Sequence, residues 1–401
     1  MERQILHVDV NNAYLSWTAV NMLKNGYDID IRTIPSVIGG EEERRAGIVL
    51  AKSPIAKKFG IVTGEPIYFA KKKCNNLKLF PADFEVYYYY SNELYKILLN
   101  YTDKIERFSV DECFLDLTGY LMNRNLIDIA KEISSRVYKE LGFTVNIGVA
   151  HNKLLAKMAS DFEKPNKIHT LFEDEIETKM WPLPCSELFM LGRKTVPKLL
   201  NMQIKTIGDI AKTDKNILIK NFGKHGQMMW EYANGIDNSE VNTKYEPPKS
   251  IGNSITLPRD LERIEDIDPI ILALCEKVSF RLRKHKMVAN VVNVQLRTNK
   301  FIDYSHQKKL NFATSNTKEI LETSKEILKE MYKGESIRLV GLRVDNLEEE
   351  DQIQLSLFSM DNNKQSTLDK TLDNIINKYG IGTVTRAGKL NTNIEYKKGT
   401  K

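Results

Sequence analysis

The order of predicted strands and helices in the first 161 residues restricts the fold more than any other feature of this sequence. The apolar run Ile5–Val10 is rich in β-branched residues and predicts a strand, while helices are predicted over 13–22 and 91–101. The order of elements is strand, helix, strand, strand, helix, strand, with a long basic insertion after the first helix. This order predicts an α+β core of the ferredoxin-like type.

The chain of 401 residues is longer than one hydrophobic core usually serves, so we expect several domains. Proline-containing breaks near residue 180 and at 246–249 indicate two boundaries. We therefore predict a multidomain α+β protein in four parts. These are a ferredoxin-like domain (1–180) with its insertion at about 24–80, a short helical domain (181–240), a second, smaller α+β domain (241–347) and a polar tail (348–401).

Charge and composition restrict the function less than the motifs do. The formal net charge of +6 and the pI near 8.8 are compatible with a nucleic-acid partner but do not require one. No apolar run reaches the length that crosses a bilayer, and the N-terminal segment lacks a signal-peptide core, so we expect a cytoplasmic protein without a membrane partner. The four cysteines and six histidines lack the spacing of a disulfide framework or a zinc site.

Three carboxylates stand at the ends of predicted strands. Asp9 lies at the end of the first strand, and Asp111 and Glu112 lie between two strand halves. Carboxylates can hold the two cations used in phosphoryl transfer, and Mg²⁺ prefers such oxygen ligands. Taken singly, Asp9 could equally cap a helix, and the Asp-Glu pair could form a solvated turn. In a regular strand Asp111 and Glu112 point to opposite faces, so a shared site requires a turn or a bulge.

Three motifs resemble the signatures of the Y-family of translesion DNA polymerases, in the group of DNA polymerase IV and UmuC-like proteins. They are an aspartate followed five residues later by an aromatic residue (9–14), S-V-D-E-C-F-L-D (109–116), and G-V-A-H-N-K-L-L-A-K-M-A-S-D (148–161) closed by K-P-N. Their order and spacing match that family, and the resemblance covers about residues 4–360. It implies a palm with inserted fingers, a helical thumb with a helix-hairpin-helix, and an α+β little-finger domain.

The resemblance also implies roles for individual residues. Tyr14 would be the steric gate that rejects a 2′-hydroxyl, and Lys164 would contact the incoming triphosphate as a point charge. Two Mg²⁺ ions would be bound in each active site, and Mn²⁺ could substitute for them. Their ligands, which are also the catalytic residues, would be Asp9, Asp111 and Glu112, together with the carbonyl of Val10.

The fingers depart from the family pattern, in which Y-x-A-R precedes F-G and grips phosphates. This chain has P-I-A-K at 54–57, and proline has no hydroxyl while lysine cannot form the bidentate fork of arginine. The departure resembles the UmuC-like branch more closely. We expect Lys57, with Lys52 nearby, to bind the nucleotide triphosphate through charge. The alternative, chiefly for Lys52, is a solvated lysine face.

Two segments of the helical domain resemble helix-hairpin-helix motifs, whose backbone amides face a phosphate. The first lies within 188–212, where Met190 replaces a glycine common in the family, and a weaker copy lies at 221–226. Without the resemblance, these glycines would be ordinary helix C-caps. Basic residues of the little finger, including Arg281 and Arg283, would lie along the DNA backbone. The predicted DNA contacts of the helical domain are Gly192, Arg193, Lys194, Gly223 and Lys224.

The tail contains Q-L-S-L-F at 354–358, which matches the motif that binds the bacterial sliding clamp. Apolar anchors of such a motif fill a groove on the clamp while glutamine makes a hydrogen bond at its rim. The alternative is a strand of the little finger. An amphipathic helix is predicted after it, and the sequence leaves open whether that helix folds back or meets a partner. The predicted clamp contacts are Gln354, Leu355, Leu357 and Phe358.

Together the motifs predict a template-directed DNA polymerase of the translesion type, which adds dNTPs to a primer 3′-hydroxyl by two-metal-ion phosphoryl transfer in DNA damage tolerance and repair. The expected partners are primer–template DNA, dNTPs, the sliding clamp (β-clamp) and a UmuD-like accessory subunit. We expect a monomer associated with the bacterial nucleoid. Two other classes stay open: a two-metal nuclease, which nucleotide dependence would distinguish, and a non-catalytic accessory protein that binds DNA and the clamp.

Overall fold

A computed structural model describes residues 2–40, 47–121, 124–244, 246–350, 362–380 and 383–384. The chain divides into two compact units, the first formed by 1–39 with 49–244 and the second mainly by 245–401. The predicted clamp motif at 354–358 lies outside the described residues. None of the helices in the described part of the chain is long and apolar enough to span a membrane.

The first unit contains two sheets and ten α-helices within its described residues. Its strands are β1 (Ile5–Val10), β2 (Ser36–Gly39), β3 (Val49–Lys52), β4 (Lys78–Pro81), β5 (Ile105–Arg107), β6 (Glu112–Asp116), β7 (Val145–Ala150) and β8 (Ile168–Thr170). Its helices are α1 (Ala13–Lys24), α2 (Pro54–Lys58), α3 (Ile67–Lys73), α4 (Phe84–Leu98), α5 (Leu126–Arg136), α6 (Lys153–Asp161), α7 (Val196–Asn201), α8 (Ile207–Lys212), α9 (Lys215–Phe222) and α10 (Lys224–Ala233).

The larger sheet has the order β5-β6-β1-β7-β8 and places β1 at its centre, antiparallel to both β6 and β7. Every residue of β1 is buried, because helices cover both faces of the sheet. Successive side chains of a strand point to opposite faces. Leu6, Val8 and Val10 therefore join the apolar core formed with α1, α4 and α5. His7 and Asp9 point to the other face, where they contact residues of α6.

Helix α6 lies very close to the sheet at Gly148 of β7. A Cβ atom added to Gly148 would stand 1.9 Å from the carbonyl oxygen of Ala156 and 2.7 Å from the nitrogen of Ser160, both in α6. Only glycine permits this approach. The third motif therefore contains the glycine that lets its own helix pack on the sheet.

Helix α4 begins at Phe84, earlier than the start at residue 91 that the sequence predicts. The carboxylate of Asp83 accepts hydrogen bonds from the backbone N–H groups of Glu85 and Val86, which caps the earlier start. Tyr87 and Tyr90 in the first turns are buried against the core of the sheet. The prediction was wrong because a run of tyrosines does not show by itself which of its rings are buried.

The insertion after α1 forms a second sheet with the order β3-β2-β4. It has an apolar core of its own, with Val37, Val49, Ile61 and Ile67 among its buried residues. The hydroxyl of Ser53 accepts a hydrogen bond from the backbone N–H of Ala56 and so caps α2.

In the helical segment α7–α10, helices α9 and α10 pack closely against each other. A Cβ atom on Gly226 in α10 would stand 2.1 Å from the carbonyl oxygen of Leu218 in α9, so this glycine sets the crossing of the two helices. In the first hairpin Met190 adopts a positive φ of 66°, the left-handed conformation that glycine favours. The family's glycine preference at this position therefore has a conformational reason, which Met190 satisfies under strain.

The second unit is a four-stranded antiparallel sheet of order β11-β10-β12-β9 with helices packed against it. Its apolar core is formed by the sheet with its first two helices. The predicted α+β class is thus confirmed in both units. The elements are β9 (Ser250–Leu261), α11 (Ile264–Lys284), β10 (Met287–Thr298), β11 (Asp303–Thr314), α12 (Thr317–Met331), β12 (Ile337–Glu349) and α13 (Asn362–Tyr379).

The last helix, α13, folds back on its own unit through a buried ion-pair cluster. Arg283 of α11 donates to both carboxylate oxygens of Asp373 at 2.5 and 2.8 Å and lies 3.4 Å from Asp369. Asp369 is 1% exposed and also accepts from the backbone N–H of Thr317. The guanidinium of Arg283 is therefore bound to α13, whereas the sequence predicted a place along a DNA backbone.

Candidate active site

Asp9 and Glu112 are brought together by the pairing of two neighbouring strands. They stand directly opposite one another in the antiparallel register of β1 and β6. Side chains of directly opposite residues project from the same face of a sheet. Asp9 is 6% exposed and Glu112 is partly buried, because α6 covers this face of the sheet.

Asp111 lies in a bend just before β6 begins. The backbone N–H groups of Phe108 and Ser109 both donate to the carbonyl oxygen of Glu112, and the Asp111 carbonyl oxygen accepts from the N–H of Val10 at 3.0 Å. The Asp111 carboxylate accepts a hydrogen bond from the Ser109 hydroxyl at 2.6 Å. The backbone turn that a shared site requires is therefore present.

Two lysines join the carboxylates, Lys157 from α6 and Lys164 from the loop that follows it. The Lys157 ammonium lies 3.4 Å from Asp9, 3.1 Å from Glu112 and 3.2 Å from Asp161. The Lys164 ammonium lies 2.9 Å from both Asp9 and Asp161. The sequence predicted Lys164 but missed Lys157 and Asp161. Their signal was available, because both lie in the third motif on the helix that follows Gly148.

The side chains at this site can be compared with the ligands that the implied metal ions require. Among the residues that the structure describes, no three His, Cys, Asp or Glu side chains are grouped to bind one metal ion. However, Asp9 Oδ2 and Glu112 Oε1 approach the same ammonium, so their oxygens already converge on one cation. Hard carboxylate oxygens of this kind are the ligands that Mg²⁺ prefers. Asp9 and Glu112 fit such an ion, with Asp111 on the adjoining bend.

The two carboxylates differ in their pKa. Burial raises the pKa of Asp9 above its ordinary value, against the opposing effect of Lys164 and Lys157. Burial would also raise the pKa of Glu112, but His7 and the Lys157 ammonium outweigh it, so the net pKa lies well below the ordinary value. The His7 ring stands 3.7 Å from Glu112, beyond hydrogen-bonding distance, so we attribute most of the lowering to Lys157.

His7 is a fully buried neighbour of this site that the sequence motifs do not single out. Its Nδ1 lies 2.8 Å from the hydroxyl of Ser160, and that hydroxyl donates its only proton to the carbonyl oxygen of Lys157. The ring must therefore donate from Nδ1 to Ser160. The other ring nitrogen, Nε2, faces Glu112 and has no hydrogen-bond partner among the described residues.

Tyr14 is held by aromatic rings from α4. Its ring stacks on that of Tyr87 with centroids 4.5 Å apart and planes 16° apart, and it meets the Phe84 ring edge to face with centroids 6.2 Å apart. The Tyr87 hydroxyl lies 3.2 Å from that of Thr18. Burial and the nearby Asp111 carboxylate raise the pKa of Tyr14. The ring of Tyr14 is therefore held in a fixed position by α4, near enough to Asp111 for that carboxylate to disfavour ionisation of its hydroxyl.

Lys52 and Lys57 stand close together at the edge of the smaller sheet. The pKa of Lys52 is lowered by burial and by the charge of Lys57, whose side chain is exposed. The Lys52 carbonyl oxygen accepts a hydrogen bond from the side chain of Asn12, which adopts a left-handed conformation just before α1. This contact ties the smaller sheet to the end of β1, two residues past Val10.

The predicted DNA contacts all lie on the surface of the helical segment. A Cβ atom at Gly192 or Gly223 would meet nothing within 4 Å. The ring of His225 lies 3.4 Å from the carbonyl oxygen of Met190, which links the two hairpins. The exposed residues are Gly192, Arg193, Lys194, Gly223 and Lys224.

The chain resembles known proteins over nearly its whole length. Residues 8–161 match the impB/mucB/samB family and residues 248–357 match the C-terminal domain of that family. The chain is 48% identical to DNA polymerase IV of Clostridium acetobutylicum over 388 residues, which cover 96% of this chain and 98% of that protein. It is 39% identical to DNA polymerase IV of Acetivibrio thermocellus, over 96% of this chain and 97% of that one.

A solved structure shows the same fold. A Y-family DNA polymerase chimera, 24% identical, superposes with a TM-score of 0.76 over 86% of this chain and 99% of the chimera. Two family models in the correct order and nearly full-length relatives well above 30% identity support one assignment. The chain therefore belongs to the impB/mucB/samB family and is a Y-family DNA polymerase.

Proposed function

We propose that this enzyme extends a DNA primer on a template by translesion synthesis, in DNA damage tolerance and repair. The observation that best supports the proposal is the convergence of Asp9 and Glu112 on one cation position. The palm would be residues 1–180 with fingers at about 24–80, the thumb 181–240, the little finger 241–347 and the tail 348–401. DNA would contact the exposed hairpins of the thumb.

Asp9, Asp111, Glu112 and the carbonyl of Val10 would hold two Mg²⁺ ions, for which Mn²⁺ could substitute. When bound, these ions supply activation of the primer hydroxyl and neutralisation of the leaving pyrophosphate. Until they bind, Lys157 and Lys164 neutralise the buried carboxylates, which keeps like charges from separating the two strands.

The nucleotide triphosphate would be held by lysines. Lys164 stands beside Asp9 with 37% of its side chain exposed, so its ammonium can turn from Asp161 to a phosphate. Lys57 and Lys52 would add charge from the fingers. The relatives named above are DNA polymerase IV proteins, and a relation to the UmuC-like branch rests on this fingers segment alone.

Primer extension tests the proposed function. Purified protein, Mg²⁺, a labelled primer and all four dNTPs should give extension products, and a single dNTP should be added only opposite its complement. Shortening of the primer without nucleotides would instead indicate a nuclease. Tight DNA binding without either product, even with the clamp present, would favour the accessory-protein alternative.

Replacing Tyr14 with alanine should let the enzyme use ribonucleotides. The ring is fixed by its stack on Tyr87, so its removal opens space where a 2′-hydroxyl would otherwise clash. We expect the preference for dNTPs over rNTPs, measured as a ratio of kcat/KM values, to fall roughly tenfold or more. Tyr138→Ala, at a tyrosine that is 60% exposed, is the control. An unchanged ratio would remove Tyr14 from the role of steric gate.

The segment 354–358 would dock the enzyme on the sliding clamp. The double variant Leu357→Ala/Phe358→Ala should weaken clamp binding about thirtyfold or more, since it removes two apolar anchors. Surface plasmon resonance with immobilised clamp measures the loss, and Ser356→Ala serves as the control. If the segment is instead a buried strand, the double variant would lower the unfolding midpoint.

The proposal also includes three further expectations. The enzyme would be a monomer, it would bind a UmuD-like subunit, and it would be associated with the nucleoid.

A further inference from the structure

Two buried asparagines lie next to the carboxylates, and neither has a role in the function proposed above. Asn146 in β7 stands opposite Asp9 in the strand register and is fully buried. Asn11 follows β1 directly and is 6% exposed. The Asn11 amide nitrogen donates to the side-chain oxygen of Asn146 at 3.0 Å, so the two amides form a pair.

Asn146 uses its full hydrogen-bonding capacity. Its amide nitrogen donates to the carbonyl oxygens of Ser160 at 3.0 Å and Glu163 at 2.7 Å. Its amide oxygen accepts from Asn11 and from the backbone N–H of Lys167 at 3.2 Å. A primary amide has two N–H groups and two acceptor positions, so none is left over. A flipped amide would place its oxygen against two carbonyl oxygens, which fixes the orientation.

Asn11 holds the same loop from the other side. Its amide oxygen accepts from the backbone N–H of Asn166 at 2.8 Å and from the hydroxyl of Thr144 at 2.9 Å. The asparagine pair therefore binds backbone groups of Glu163, Asn166 and Lys167. These three residues flank Lys164 on both sides.

The side chain of Lys164 is exposed enough to move, yet its ammonium stands 2.9 Å from Asp9. Apart from the asparagine pair, the backbone of this loop is held at Lys167, whose carbonyl oxygen accepts from the N–H of Ile147 at 3.0 Å, and at Glu163, whose carbonyl oxygen lies 3.3 Å from the His169 ring. We propose that Asn11 and Asn146 are positioning residues that hold the backbone around Lys164, so that its ammonium stands beside Asp9 where the triphosphate binds. This inference rests on the proposed function, in which Lys164 contacts the nucleotide.

A double-mutant cycle tests the inference. Asn11→Ala and Lys164→Ala are made singly and together, and dNTP KM and kcat are measured by primer extension at saturating DNA. Asn11→Ala should raise the dNTP KM about tenfold, and in the Lys164→Ala background it should raise KM less than about twofold, because the two residues act as one unit. The Kd for primer–template DNA, measured by fluorescence anisotropy, should stay unchanged in all variants.

Thr144→Val is the matched control, since it removes one hydrogen bond to Asn11 and leaves both asparagines bonded to the loop. It should leave the dNTP KM unchanged. If Asn11→Ala does not fold, the cycle is run with Asn11→Ser, whose shorter side chain stays polar but cannot bond both Asn146 and the backbone N–H of Asn166. An equal rise of KM in both backgrounds, or no rise from Asn11 replacement, would overturn the inference while the role of Lys164 stands. If Lys164→Ala itself leaves KM unchanged, both the inference and that role are wrong, although template-directed extension by the wild type would still establish the polymerase.

Discussion

Asp9→Asn should reduce primer extension by about 10³-fold or more and leave the protein at least as stable as the wild type. Burial raises the pKa of Asp9 above its ordinary value, so ionising this carboxyl costs more free energy in the folded state than in the unfolded chain. Asparagine has nearly the same shape and no charge. The variant should therefore lose the proposed metal ligand, while relief from the cost of burying that charge offsets the loss of its ion pairs with Lys157 and Lys164.

Glu112→Gln should lose as much activity but should also lose stability. The pKa of Glu112 is lowered chiefly through Lys157, so its ionised form stabilises the folded state. We expect a loss on the order of 1 kcal/mol of unfolding free energy, after allowance for solvent screening of this partly exposed group. The contribution exists above the ordinary glutamate pKa and disappears as the pH falls through the lowered one. The difference from wild type should therefore shrink in acid.

Urea unfolding at pH 7 and at lower pH, together with primer extension, separates these two effects. Asp128→Asn is the control, because Asp128 pairs with Lys131 on the surface and both side chains are 64% exposed. It should change neither quantity. Extension by Asp9→Asn within about tenfold of wild type would contradict the placement of this carboxylate in the catalytic centre.

Gly148→Ala should strongly destabilise the first unit, although it adds only one methyl group. The new Cβ would stand 1.9 Å from the carbonyl oxygen of Ala156, a backbone atom that cannot rotate away. Helix α6 must then move off the sheet, which costs about 3 kcal/mol of unfolding free energy. Because α6 holds Lys157, the protein that still folds should extend primers more slowly.

Gly192→Ala is the matched control for stability, since a Cβ there meets nothing within 4 Å and the residue has no positive φ. Its unfolding free energy should stay within about 0.5 kcal/mol of the wild type. A loss below about 1 kcal/mol for Gly148→Ala would show that α6 can shift at little cost. In that case the close helix–sheet contact does not set the position of Lys157.

Much of the fold follows from local patterns in the chain. The apolar run at Ile5–Val10 forms β1, and the helix predicted from residue 13 forms α1, which begins at Ala13. Such features depend on periodicity and on turn-forming residues within a short window. The start of α4 did not follow in this way, because burial of Tyr87 and Tyr90 depends on elements far away in the sequence.

The motifs by themselves determined the family and the candidate residues Asp9, Asp111, Glu112, Tyr14 and Lys164, because their residue types and spacing can be recognised without any structure. Only the tertiary structure decided which charged side chains lie close enough to form ion pairs. Lys157, Asp161 and His7 join the site because strand register and the close approach of α6 bring them there. Arg283 is bound by α13 for the same kind of reason. A sequence pattern states what a residue can do, whereas the electrostatic partners that set its pKa come from parts of the chain far apart in sequence.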